Sequence, residues 1–91
     1  MVRRSRLEIY FDVLKTLERG VDKPTRIMYK ANLSWSSLQD TFDTLIDGGF
    51  MTVKNSKASK RYFITDKGRR ALSYHMRSMD GLVKVKQMFS R

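Results

Sequence analysis

Between Leu7 and Leu17, the apolar positions Leu7, Tyr10, Val13, Leu14 and Leu17 recur at intervals of three and four, the spacing that lines one face of an α-helix. Ahead of them, Ser5-Arg-Leu-Glu8 has the form of a capping box, in which the serine oxygen accepts from the Glu8 amide and the Glu8 side chain reaches back. Gly20 ends this stretch. Asp22-Lys-Pro24 restarts the chain, since proline is tolerated in a first helical turn, where its missing N–H had no partner. The second helix is expected to run to about Ala31, with Ile27 and Met28 inward. Ser34 can then cap a third helix from Trp35 to Asp47. Its stripe is Leu38, Phe42, Leu45 and Ile46, and Gly48-Gly49 closes it.

Beyond Gly49 the period changes. Residues 50–54 and 60–65 have the β-branched and aromatic content of strands, and the polar residues 55–59 between them suit a hairpin loop. Thr65 can cap a last helix whose apolar stripe continues through Leu72, Met76, Met79, Leu82, Val83 and Phe89. About 24 residues at 1.5 Å each span about 36 Å, longer than so small a domain covers, so the distal half needs another partner. Gly81 falls mid-pattern and predicts a bend or break there.

Helices 2 and 3 across a short turn form a helix-turn-helix. Three helices and a hairpin give the order of a winged helix, an α+β fold that is mostly α. Residues 1–65 are expected to form a DNA-binding domain, and residues 66–91 a long dimerisation helix packed on it.

Composition narrows the function. The 91 residues suffice for one domain. They include no cysteine, so disulfide and thiolate chemistry are excluded. No apolar run approaches the length of a membrane span, and the basic start Met1-Val-Arg-Arg-Ser-Arg lacks the apolar stretch of a signal peptide. A cytoplasmic, nucleoid-associated protein is expected. The net charge of +10 is unevenly spread: residues 51–91 hold eleven Lys/Arg against two acidic residues, whereas residues 1–50 hold eight against seven. Such a field attracts polyanions, chiefly nucleic acid.

The candidate DNA contacts fall into groups. Trp35, Ser36, Ser37 and Gln39, after the cap Ser34, would face base edges. Arg26 and Lys30 on helix 2 would hold phosphates, fixing register without reading sequence. Lys54, Lys57, Lys60 and Arg61 around the hairpin suit a wing on the backbone, and Arg3, Arg4 and Arg6 a mobile basic arm. Asp40, Asp43 and Asp47 oppose this reading, because phosphate repels carboxylate; they are expected to point away from the groove, so that only the first turn of helix 3 enters. No His or Cys joins them to suggest a metal site. The single histidine, His75, reads as a surface or seam residue, and no phosphate loop or nucleophile elbow is present. No enzyme activity, cofactor or small-molecule effector is expected.

Ser5-Arg-Leu-Glu-Ile9, Thr25-Arg-Ile-Met-Tyr-Lys-Ala-Asn-Leu-Ser-Trp35 and Tyr62-Phe-Ile-Thr-Asp-Lys-Gly68 resemble the small archaeal winged-helix DNA-binding proteins, which include predicted transcriptional regulators and dimeric chromatin proteins. The resemblance covers roughly residues 4–80. It implies a homodimer joined by an antiparallel coiled coil of the C-terminal helices, and DNA contacts from the start of helix 3 and from the wing. The apolar stripe names Leu72, Met76, Met79, Leu82 and Val83 as seam residues. The chain departs from the family in having Trp35 where tyrosine is common, in a longer and more basic wing, and in Gly81 and Lys86 along the seam. The expected function is a double-stranded-DNA-binding transcriptional regulator. An architectural chromatin protein and a protein-interaction winged helix are the alternatives.

Overall fold

The computed structural model describes residues 4–89, with side chains described through Met79. The element order is α1 (Arg6–Glu18), α2 (Pro24–Ala31), α3 (Trp35–Asp47), β1 (Met51–Asn55), β2 (Lys60–Ile64) and α4 (Asp66–Phe89). Local signals account for most of these boundaries. The Ser5 hydroxyl accepts from the Glu8 amide at 3.1 Å, and the Glu8 carboxylate accepts from the Ser5 amide at 3.4 Å, completing the capping box. Ser34 and Thr65 cap α3 and α4 through the amides of Ser37 and Gly68, each at 3.1 Å.

At the end of α3 the chain reverses at Gly49, whose φ of +78° is open to glycine at no steric cost. The Phe50 amide then donates to the Leu45 carbonyl at 2.8 Å. Asn32 takes the same left-handed conformation after α2, with φ of 55°, and asparagine tolerates it better than most residues.

Three helices and one face of the hairpin enclose the core. Val13, Leu14 and Leu17 of α1 meet Ile27 and Ala31 of α2 and Leu38, Phe42 and Leu45 of α3. Met51, Ile64 and Leu72 close it from the hairpin and α4. The strands pair antiparallel with Met51 opposite Ile64 and Asn55 opposite Lys60. The free edge of β2 gains one bond, from the Tyr62 amide to the Asp22 carbonyl at 3.0 Å. The two buried threonines, Thr16 and Thr41, each donate to the carbonyl four residues back. Burial therefore leaves neither hydroxyl unpaired.

α4 runs antiparallel to α1, since Arg69 meets Glu18 at 3.1 Å while His75 stacks on Phe11 with ring centroids 3.8 Å apart. Gly68 permits the close approach at its start: a Cβ there would collide with the Phe50 carbonyl oxygen. Three expectations change. α4 continues through Gly81 without a break. Leu7, placed inward by its spacing, is 57% exposed. Leu72, assigned to a dimer seam, is 5% exposed and belongs to the hydrophobic core of the chain. Met76 and Met79, each 48% exposed, do lie on the open part of α4. The side chains of Leu82 and Val83 lie outside the described residues.

Candidate nucleic-acid interface

Helix α2 buries Ile27 and Ala31, which turns Arg26, Tyr29 and Lys30 to solvent. Tyr29, 79% exposed, has no place in the sequence-derived set; its signal is its position three residues after Arg26, off the inward Ile27–Ala31 line. Its hydroxyl is an exposed group beside Lys30 that can donate or accept a hydrogen bond.

The turn between α2 and α3 is braced by a residue expected to be mobile. Arg4 donates to the Asp12 carboxylate at 2.8 Å and to the carbonyl oxygens of Ala31 and Asn32, each at 2.7 Å. Its guanidinium satisfies two carbonyls at the end of α2 and is neutralised by α1, so Arg4 is a brace and not part of an arm. Arg6, grouped with that arm, is the first residue of α1. Arg3 lies outside the described residues.

In α3, the expected reading turn divides. Trp35 is 50% exposed, and Ser36 and Gln39 are also exposed. Ser34 accepts from the Ser37 amide and donates to the Ser37 hydroxyl, both at 3.1 Å, so these two serines hold the cap. Ser37 is half-buried and borders, with Asp40 and Asp43, a cleft of about 390 Å³ against Arg6 and Tyr10 of α1. Asp40, Asp43 and Asp47 are all exposed. At about 100° per residue, all three aspartates lie within about 40° of Ser36 around the helix, on its exposed face.

The hairpin presents Lys54, Lys57 and Lys60 to solvent. Its tip is tied, since the Ser56 hydroxyl donates to the Ser59 carbonyl at 2.9 Å and the Ser56 amide reaches the same oxygen at 2.9 Å. The Lys54 ammonium stands 5.3 Å over the Phe63 ring. Arg61, counted with the wing cations, donates to the Asp22 carboxylate at 2.9 Å and ties the loop-proximal end of β2 to the segment before α2. Tyr62 joins the wing to α3 by packing on Phe42 with centroids 4.3 Å apart. Burial, and secondly the charge of Asp43, raises the Tyr62 phenol above its ordinary value of 10.0.

A helix-turn-helix with an open first turn on its second helix, followed by a lysine-bearing hairpin, defines a winged helix. Residues 3–84 match the winged helix-turn-helix family, and the chain belongs to it. It is 35% identical over 71 residues to an uncharacterised protein of Methanocaldococcus jannaschii, covering 78% of this chain and 69% of that protein. Sso10a-2, a DNA-binding protein from Sulfolobus solfataricus, superposes with a TM-score of 0.71 at 28% identity, covering 96% of this chain and 94% of that one. A transcriptional regulator from Clostridium thermocellum shares the fold, with a TM-score of 0.73 at 19% identity over 99% of this chain and 100% of that one.

Proposed function

We propose that this protein is a DNA-binding transcriptional regulator that acts as a homodimer, with the first turns of α3 in the major groove and the wing along the flanking backbone. One observation carries the reading. Arg26, Lys30, Lys54, Lys57 and Lys60 are exposed on the elements either side of α3 in sequence, and among the described residues none meets a carboxylate within 4.0 Å. Phosphate is the partner that such a frame accepts. Trp35, Ser36 and Gln39 are exposed groups that can face bases, while Ser34 and Ser37 hold the helix end in shape. Met76 and Met79, with Leu82 and Val83 beyond them, form the dimer seam; Leu72 holds α4 to its own domain. No catalytic step enters this account, and its setting is the nucleoid within the cytoplasm.

A second reading, an architectural chromatin protein, is favoured by the three aspartates of α3, because backbone contacts would then supply most of the affinity. Competition between a selected site and random duplex at one salt concentration separates the two. A regulator retains a preference of roughly a thousandfold or more. Equal affinity for both duplexes favours the architectural role.

A further inference from the structure

Gln39 and Asp43 stand one turn apart on the exposed ridge of α3. At about 100° per residue, Ser36, Gln39, Asp43 and Asp47 share an arc of about 80°. The buried residues Leu38, Thr41, Phe42 and Leu45 occupy the opposite side. Helix α3 contains three aspartates and no lysine or arginine, in a chain of net charge +10. Among the described residues, Asp43 meets no cation within 4.0 Å, even though Arg6 borders the same cleft. Asp43 is therefore an exposed acceptor with no cation partner among the described residues.

A carboxylate brought to a duplex raises the energy of every complex in which it finds no donor. The major groove offers donors at cytosine N4 and adenine N6, whereas guanine O6 and N7 and thymine O4 are acceptors. The amide of Gln39 both donates and accepts, matching adenine N6 and N7. Four residues of helix rise about 6 Å, just under two base steps at 3.4 Å each.

We propose that Gln39 and Asp43 are specificity-determining residues, Gln39 reading adenine and Asp43 cytosine about two base steps away. The proposal rests on the DNA-binding reading above and names what that surface selects. Asp43 works by exclusion as much as by attraction. Where guanine or thymine faces it, acceptor opposes acceptor, and the lysine-based affinity of the wing is offset. The aspartates then give the protein a means of rejecting most of the sequence to which its positive charge draws it.

Selection from a pool of randomised duplexes, using the full chain and its Asp43→Ala and Gln39→Ala variants, tests this. The wild type should enrich cytosine at one fixed position, and replacing that base with thymine should weaken binding about tenfold or more. Asp43→Ala should lose that discrimination while binding random duplex at least as tightly as the wild type. Gln39→Ala should lose the adenine preference alone. Guanine enriched at the cytosine position, or an unchanged preference in Asp43→Ala, overturns the proposal. Wild-type binding to random duplex with no base preference also overturns it and leaves DNA binding standing. Absence of duplex binding at low salt removes both.

Discussion

Arg4 donates to the carbonyl oxygen of Ala31 at 2.7 Å across 27 positions of sequence, and so ties the chain before α1 to the end of α2. The same guanidinium reaches Asn32 and Asp12, which joins the helix-turn-helix corner to α1. Arg4→Ala removes a charged donor from two helix-end carbonyls and leaves the Asp12 carboxylate without its partner. It should cost about 1.5 kcal/mol and lower the melting midpoint by roughly 6–12 °C. Thermal denaturation followed by circular dichroism checks this; an unchanged midpoint would show that water replaces the brace.

Gly68→Ala should destabilise the protein even though alanine is the better helix former by about 1 kcal/mol. The added methyl meets the backbone carbonyl of Phe50, which cannot rotate away as a side chain can. A loss of about 2–3 kcal/mol in urea denaturation is expected. A stabilised variant would contradict the close approach of α4.

Tyr62 gives a pH dependence with a definite sign. Its phenol is raised above 10.0 in the folded state, chiefly by burial and secondly by Asp43. The folded chain thus holds this proton more tightly than the unfolded chain. The associated stability is fully present below the ordinary phenol value and falls as pH rises through the folded value. Tyr62→Phe should flatten the alkaline limb of the melting-temperature profile and leave its neutral region parallel to that of the wild type.

Leu72 and Met76 are one turn apart in the same stripe yet belong to different surfaces. Leu72→Ala should open a core cavity and cost about 2–4 kcal/mol. Met76→Lys combined with Met79→Lys should preserve helix content and reduce the mass by light scattering from two chains to one. A dimer that survives the double change would move the seam elsewhere.

Much of the fold is legible locally. Ser5, Ser34 and Thr65 announce three helix starts within a few residues of the amides they receive. The double glycine after Asp47 and the change from helical to strand periodicity mark the hairpin. Residue function was less legible where partners are remote. Arg4 reads as an arm and Arg61 as a wing cation, because the carbonyls near residue 31 and the Asp22 carboxylate lie 27 and 39 positions away. Periodicity placed Leu72, Met76 and Leu7 on apolar stripes without saying which element covers each one. The outward position of Asp40, Asp43 and Asp47 follows from the helical period, and all three are exposed.

The most direct test of the central claim is duplex affinity measured against salt, for the wild type and for the combined Lys54→Ala, Lys57→Ala and Lys60→Ala variant. Phosphate contacts from Arg26, Lys30, Lys54, Lys57 and Lys60 predict that log K falls with log salt at a slope of about −4 to −5 per protomer. The triple variant should show a slope of about −2 and bind well over tenfold more weakly at low salt. Wild-type affinity that ignores salt, or a triple variant that binds as tightly as the wild type, would contradict the account.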